Sequence, residues 1–490
     1  MAGSYAAVDL GAESGRVVVG QLAGGKLSLR EVHRFRNGPV KVAGHLHWDA
    51  LRVYEEILTG LSAAAQVATP ASVGLDTWGV DFGLLDRNGA LLGNPMHYRD
   101  HRTDGVPERL FARVPVSEVF AATGIQIMQI NTLYQLFSMV EERSPVLDVA
   151  DRYLMMPDLF NYWLCGEKVV DYTIATTSQC YDVARRGWAT SLLSRLGIPT
   201  GMFGQVVQPG TRLGPILPAV ADRVGLRGLQ VVTPPCHDTA SAVAAVPARG
   251  SRYAYISSGT WSLMGAVVPE PVVNDAARTL GFTNEGGVSG TVRLLKNIAG
   301  LWLVQECRRA WARAGEDLSY DALTALAAGA RPFQAFIDPD DASFLSPEDM
   351  PAAIQAYLAR TGQPALASRG DLLRASLEGL AWDYRRTLAK LERLLGHRVE
   401  VIHIVGGGSQ NQLLCQMAAD ACGRPVLAGP VEATAAGNLL AQAISAGECA
   451  SWDEAREVVR ATFPPRTYEP KETAAWDEAS PRVERILAGA

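Results

Sequence analysis

Two stretches far apart in this 490-residue chain follow one plan. Tyr5-Ala-Ala-Val-Asp-Leu-Gly11 is a short apolar run broken by glycine, and Arg16-Val-Val-Val-Gly-Gln-Leu22 resumes β-rich sequence a few residues later. Arg252-Tyr-Ala-Tyr-Ile-Ser-Ser258 turns through Gly259-Thr260 and resumes at Trp261-Ser-Leu-Met-Gly-Ala-Val-Val268. Each reads as a β-hairpin with a glycine-containing turn. A chain that builds the same hairpin twice, with strands and helices alternating between and after the copies, is expected to be an α/β protein of two domains. The polar, turn-rich Pro247-Ala-Arg-Gly-Ser-Arg252 places the break near residue 248. The expected division is 1–247, 248–465 and a tail or terminal helix over 466–490.

Around these hairpins, strands are expected at 71–75 and 83–85 and helices at 51–65, 132–142 and 154–164. Leu372, Leu373, Leu377, Leu380, Tyr384, Leu388, Leu391 and Leu395 form a helical stripe that Gly396 is placed to stop. Val401-Ile-His-Ile-Val405 then reads as a buried strand feeding Gly406-Gly407-Gly408 and another amphipathic helix, an arrangement suited to a nucleotide contact. The proline- and aspartate-rich segment 331–351 is a loop over a cleft or plain surface.

Composition narrows the chemistry. With 48% hydrophobic residues the chain is too long for one core and too apolar for disorder. A formal charge of −6, with cations scattered among acids, gives no footprint for nucleic acid. No apolar run approaches the ~18 residues of a membrane helix, and the start reaches Asp9 and Glu13 without a basic leader. A cytoplasmic protein without a membrane partner is expected. Seven widely spaced cysteines make neither a disulfide framework nor a zinc site, and Cys415 and Cys422, seven apart on one helix face, read as buried thiols.

Two phosphate-binding motifs fail. Gly20-x4-Gly25-Lys26 is followed by Leu27 where a P-loop needs Ser or Thr. Gly406-x-Gly408 lacks the third glycine of a dinucleotide fingerprint. What remains is Cys236-His237-Asp238-Thr239-Ala240-Ser241, a carboxylate opening a small-residue helix, together with the two glycine-hydroxyl hairpins. A phosphotransferase without a P-loop must hold triphosphate by backbone N–H groups, hydroxyls and a metal. The first hairpin offers Gly11, Ser14, Gly15 and Arg16, with Asp9 as a candidate Mg²⁺ ligand through water; the second offers Gly259 and Thr260. Each has a plain alternative as a turn, and Asp238 as a helix cap.

Several ordered blocks together carry a resemblance over nearly the whole chain. They include Val8-Asp9-Leu10-Gly11 with Ser14-Gly15-Arg16, Gly44-His45-Leu46-His47-Trp48-Asp49, Asp76-Thr77-Trp78-Gly79-Val80-Asp81-Phe82-Gly83 and Tyr98-Arg99-Asp100. Asn131-Thr132-Leu133-Tyr134-Gln135, His237-Asp238-Thr239, Ser257-Ser258-Gly259-Thr260-Trp261, Lys296-Asn297-Ile298 and Val405-Gly406-Gly407-Gly408 complete the set. The sequence resembles the FGGY family of carbohydrate kinases. The resemblance implies two ribonuclease H-like domains of the actin/hexokinase superfamily closing on a cleft, with ATP, Mg²⁺ and a small ketose as ligands. It implies that Asp238 takes the proton of the sugar hydroxyl and that Gly79, His237, Asp238, Thr239 and Asn297 contact sugar. Ala12, Glu13, Ser14, Gly15, Arg16, Thr260, Gln305 and Gly407 fall at ATP-contacting positions. Beside Gly79, Asp76 and Trp78 suit a sugar wall of carboxylate and aromatic, and a Trp78 that simply fills the core is the alternative.

Glu13 departs from the pattern, standing where such kinases usually carry a small hydroxyl residue; a carboxylate there repels triphosphate unless Mg²⁺ or Arg16 intervenes. Within the family the blocks lie nearest the kinases of L-rhamnulose, which implies transfer to its 1-hydroxyl in L-rhamnose breakdown. Another ketose, L-fuculose or L-xylulose, is the nearest alternative. From other classes stand a non-catalytic sugar- or nucleotide-binding clamp and an assembly ATPase. Monomer and homodimer are both compatible with the sequence.

Overall fold

The computed structural model describes residues 3–345 and 347–488. The outermost residues of the division drawn above, and position 346 of the 331–351 segment, lie outside the described residues. By its contacts the chain divides into two compact units. The first holds 1–247 together with 267–294 and 433–463, and the second holds 248–266, 295–432 and 464–490. The two later stretches of the first unit lie beyond residue 248 in sequence. They belong to it through packing: the helix Ala433–Ala446 lies on the strands of the first sheet.

That sheet contains β1 (Gly3–Leu10), β2 (Ser14–Ala23), β3 (Lys26–Arg36), β4 (Ser72–Thr77), β5 (Arg212–Pro215) and β6 (Gln230–Val232), in the spatial order β5-β6-β4-β1-β2-β3. β1 pairs antiparallel with β2 and parallel with β4. In the second unit, β7 (Tyr253–Ser258), β8 (Ser262–Val268), β9 (Val401–Val405), β10 (Val426–Ala428) and β11 (Arg466–Tyr468) run in the order β8-β7-β9-β10-β11. β7 pairs antiparallel with β8 and parallel with β9. Both expected hairpins therefore form, and each leads with a strand that has an antiparallel partner on one side and a parallel one on the other.

Most expected helices form close to their expected bounds, as Ala50–Ala65, Thr132–Glu141 and Arg369–Leu395. The last is opened by a capping box of Ser368 and Asp371 and stopped by Gly396 at φ +71°, a left-handed cap that favours glycine. The apolar run at 154–164 divides: Arg152–Met155 is a strand pairing with Phe82–Leu85, and the helix spans Met156–Cys165. Pro157 sits in the first helical turn, where its missing N–H costs nothing. Segment 331–351 is not plain surface, since Phe336, Ile337 and Phe344 are buried. Its Asp338–Asp341 turn exposes Asp340 for the contacts described below. The seven cysteines are free, with Cys415 and Cys422 buried on the helix Gln412–Cys422.

Within the first unit, Ala433–Ala446 also crosses the short helix Asp238–Ala244 at backbone distance. A Cβ on Gly437 would stand 1.9 Å from the Ser241 carbonyl oxygen, a clash no rotamer relieves. Gly437→Ala is expected to push the two helices apart and cost about 1–3 kcal/mol, as overpacking does. Urea unfolding of the variant measures this; unchanged stability would contradict so close a crossing.

Candidate active site

Pairing register in the first unit puts three charged residues side by side. Asp9 on β1 stands opposite Arg16 on β2 and opposite Asp76 on β4. Arg16 donates to Asp9 Oδ2 from Nε at 2.9 Å and from Nη2 at 2.7 Å. Asp76 is fully buried. Its Oδ2 accepts from Asn438 Nδ2 at 2.6 Å, whereas its buried Oδ1 has no hydrogen-bond partner. Burial, then the neighbouring charges of Asp9 and Asp238, raise the Asp76 carboxyl well above the usual range, against the Asn438 bond. Asn438 is held by Gln442, which donates to Asn438 Oδ1 at 2.8 Å and to the Ala6 carbonyl at 2.9 Å. Two amides four apart in an otherwise alanine- and leucine-rich helix are thus spent on the first sheet.

β4 ends in a bridge between Thr77 and His237, which delivers the next residue, Asp238, to the start of its helix. The approach is fixed by Asp171, a fully buried carboxylate. Its Oδ1 accepts from the backbone of Thr173 at 2.8 Å and of Cys236 at 3.1 Å, and from the Thr173 hydroxyl. The Thr173 hydroxyl oxygen in turn accepts from His237 N at 3.2 Å. Asp238 itself keeps 32% of its side chain exposed. Its Oδ1 accepts from Thr239 N at 2.5 Å and from the Thr239 hydroxyl at 3.2 Å. Crowding by the fold raises its pKa, His237 opposes that, and the charge of Asp9 adds to it. Behind it, the His237 ring contacts Glu285 and Arg293, which are buried and which no sequence motif singles out.

Gly79 lies on a sharp turn: Val80 adopts φ +66°, a conformation strained for a β-branched residue. The turn is held because Val80 N donates to Thr177 Oγ1 at 3.1 Å while the Thr132 hydroxyl donates to the Val80 carbonyl at 2.5 Å. Gly79 is half-buried, but Trp78 keeps 6% of its surface and Asp76 none. Trp78 is packed in the core. Its ring centroid is 4.0 Å from that of Trp48, and both indoles donate to Asp81 Oδ2, at 2.5 Å from Trp48 and 3.0 Å from Trp78. Gln135 Nε2 donates to Asp81 Oδ1 at 3.1 Å.

In the second unit, the β7–β8 turn is fastened by the start of the helix Trp302–Arg313. Leu301 N donates to the Gly259 carbonyl at 3.0 Å and Trp302 N to the Thr260 carbonyl at 3.2 Å. Gly300 permits the approach, since a Cβ there would lie 2.6 Å from Trp261 backbone. That helix carries Gln305, whose buried Oε1 has no hydrogen-bond partner. Gly408 packs on the last residue of β7, where a Cβ would fall 2.0 Å from Ser258 Oγ, whereas Gly407 is exposed with open space above it. Asn297 is half-buried on the strand Val292–Ile298. Next to it, Lys296 Nζ donates to Asp340 at 2.6 Å, and Ala299 N donates to the same carboxylate at 2.9 Å.

So the structure gathers Asp9, Arg16, Asp76, His237 and Asp238 in the first unit, and seats the Thr260 and Gly407 loops on adjoining strands of the second. Residues 4–245 match the N-terminal domain of the FGGY family of carbohydrate kinases, and residues 254–446 match its C-terminal domain. This chain belongs to that family. It is 44% identical over 477 residues to a rhamnulokinase of Bacteroides thetaiotaomicron, covering 97% of this chain and 98% of that one. To a rhamnulokinase of Bacillus subtilis it is 39% identical over 469 residues, 96% of each. Solved sugar-kinase structures share the two-domain α/β fold. Gluconate kinase from Lactobacillus acidophilus superposes with TM-score 0.82 at 15% identity, over 100% of this chain and 99% of that one. Glycerol kinase from Plasmodium falciparum with ADP gives 0.79 at 14%, over 99% and 98%. Among the described residues no helix is long and apolar enough to cross a membrane.

Burial pushes the Asp81 carboxyl up to about 6, against the bonds from Trp48, Gln135 and Trp78. An unfolded aspartate titrates near ~3.9. The fold thus keeps a proton that the unfolded chain releases, and stability falls as pH rises through that window. Relative to Asp81→Asn, which lacks the titration, the unaltered protein is expected to lose about 2 kcal/mol between pH ~4 and ~7. Denaturant unfolding of both across that range is the measurement, and a constant difference would reject the shift.

Proposed function

We propose that this protein transfers the γ-phosphoryl group of ATP to the 1-hydroxyl of L-rhamnulose, giving L-rhamnulose 1-phosphate. The observation that carries the reading is Asp238: a partly exposed carboxylate at the start of a small-residue helix, tied by its neighbours to a buried polar frame. Its identity to rhamnulokinases across nearly the full chain supports that acceptor.

In this reading Asp238 accepts the proton of the sugar hydroxyl. The transition state is loose and asks for little proton removal before attack, so orienting the hydroxyl is the larger part of the task. A carboxyl raised above the ordinary aspartate range also accepts a proton more readily. Gly79, His237, Thr239 and Asn297 contact the sugar, while Asp76 and Trp78 support its wall from behind. Ala12 to Arg16 and Thr260, Gln305 and Gly407 hold ATP through backbone N–H groups and polar side chains. The division into a sugar side over 1–247 and a nucleotide side over 248–465, with 466–490 as a closing tail, follows these roles.

The charge of Asp9 raises the proton affinity of the Asp76 carboxyl, one oxygen of which has no hydrogen-bond partner, so a cation beside Asp9 would be welcome there. Asp9 would hold Mg²⁺ through water, and the ion would neutralise charge on the phosphates. The protein works in the cytoplasm as a monomer or homodimer.

Purified protein with Mg-ATP is expected to release ADP fastest with L-rhamnulose among L-rhamnulose, L-fuculose, L-xylulose, D-xylulose and glycerol. Preference for another acceptor would move the substrate, and sugar-independent release would remove the kinase. Asp238→Asn should still bind both ligands while kcat falls roughly 10²- to 10⁴-fold; near-normal turnover would reject the base. Glu13 is exposed, so Glu13→Ser is expected to change KM for ATP less than about twofold, as screened surface charges do. A large fall in KM would mean that Glu13 faces the phosphates.

A further inference from the structure

We propose that Arg293 is a positioning residue that fixes the proton of His237 on Nε2, so that an N–H faces the carboxylate of Asp238. The inference rests on Asp238 being the base proposed above.

The argument is one of donors and acceptors. Arg293 Nη2 lies 3.0 Å from His237 Nδ1 with hydrogen-bond geometry. A guanidinium only donates, so Nδ1 must accept. A neutral imidazole has one N–H, and it is then on Nε2. Nε2 stands 3.4 Å from Asp238 Oδ1, at ion-pair distance and without the alignment of a hydrogen bond. In the other tautomer a lone pair would face that oxygen and repel the carboxylate.

Arg293 is built for this task and has little freedom to do anything else. It is fully buried on the strand Val292–Ile298. Nε donates to the Gly286 carbonyl at 2.8 Å, and Nη1 has no hydrogen-bond partner. Gly286 is itself anchored, its N donating to Thr176 Oγ1 at 2.8 Å. The charge is balanced by Glu285, whose Oε2 lies 3.1 Å from Arg293 Nη2 and 3.2 Å from His237 Nδ1. Glu285 Oε2 is at ion-pair distance from both but lacks hydrogen-bond alignment with either. It therefore offsets the cation without taking Nδ1 away from Arg293. From the backbone side, His237 N is held by Thr173, so the ring's position is set at both ends. Asp9 is the neighbouring carboxylate whose charge resists ionisation of Asp238. The Thr239 N–H and hydroxyl already donate to Asp238 Oδ1, and an N–H on His237 Nε2 adds a further dipole that favours the carboxylate.

The experiment is ¹⁵N–¹H NMR of the full-length protein labelled at histidine, above neutral pH, with the His237 signals identified by their loss in His237→Gln. The unaltered protein should show a protonated Nε2 and a bare Nδ1. Arg293→Met should lose that signature, with kcat down roughly 10- to 100-fold and sugar KM changed far less. Because Arg293→Met strands the Glu285 charge, R293M/E285Q is measured beside it and should behave alike. Arg293→Lys, which can still donate to Nδ1, should recover both signature and turnover in large part. A proton on Nδ1 in the unaltered protein, or an intact Nε2–H signature with full kcat in R293M/E285Q, would overturn the proposal. Absence of sugar-dependent turnover in the unaltered protein would instead remove the kinase reading, whatever the tautomer.

Discussion

The site in the first unit hangs on one buried carboxylate. Asp171 is out of reach of water, and a charge or even a neutral polar group there is costly unless its oxygens are occupied. The fold meets that demand at Oδ1, with backbone N–H groups from two separate segments, 173–174 and Cys236, and with the Thr173 hydroxyl, and leaves the buried Oδ2 without a hydrogen-bond partner. One interaction thereby ties the helix start at Tyr172 to the approach of the Asp238 helix. Without it His237 would lose the Thr173 contact to its backbone, and Asp238 would be carried on an untethered loop. Burial pushes the Asp171 carboxyl up to about 6, partly offset by these bonds, a measure of how much the site's geometry costs in electrostatic terms.

The two units place their functional loops by different physics. In the first, charged and amide side chains are sunk in the sheet and satisfied pairwise: Arg16 on Asp9, Asn438 on Asp76, Gln442 on Asn438. The exception is Asp76 Oδ1, which has no hydrogen-bond partner, and an unmet group is costly in a buried polar network. In the second, the loops are placed by missing side chains. Gly300 lies on the Trp261–Ser262 backbone and Gly408 on Ser258, and either position would clash with any larger residue. Backbone N–H groups brought close in this way suit phosphate, which asks for many donors and little shape. A small sugar asks for few, well-aimed side chains, and rigid buried polar frames supply those.

What the sequence displayed, and what it hid, follows the same line. The hairpins, the capped helix at Arg369–Leu395 and the strand Val401–Val405 were legible because periodicity and glycine punctuation are local. Asp238 was legible because a carboxylate opening a helix of small residues is a local pattern too. Leu154 and Met155 read as the start of a helix because short apolar runs suit either state, and their strand partner lies some seventy residues away in sequence. Trp78 divided between wall and core in the sequence, and what the sequence hid is that the buried Asp81 accepts from its indole and from that of Trp48. Glu285 and Arg293 escaped altogether. The trace they left is a lone arginine inside Val292-Arg293-Leu294-Leu295, an apolar run in which a charge needs a buried partner.

That trace generalises within this chain. Asn438 and Gln442 stand four apart in an alanine-rich helix, Asp81 follows an apolar Trp-Gly-Val, and Asp171 follows two valines. Each is a polar residue in a setting that buries it, and each makes hydrogen bonds that fix a neighbouring strand or turn. The reason is energetic. A polar group in such a place is tolerated only where its bonds are made, and bonds that must be made fix position more tightly than packing alone. Residues that contact ligands need exposure and so sit in recognisable loops; residues that aim them need burial and are scattered through the core sequence. The aiming layer is therefore read from charge in apolar surroundings, and the contacting layer from motif.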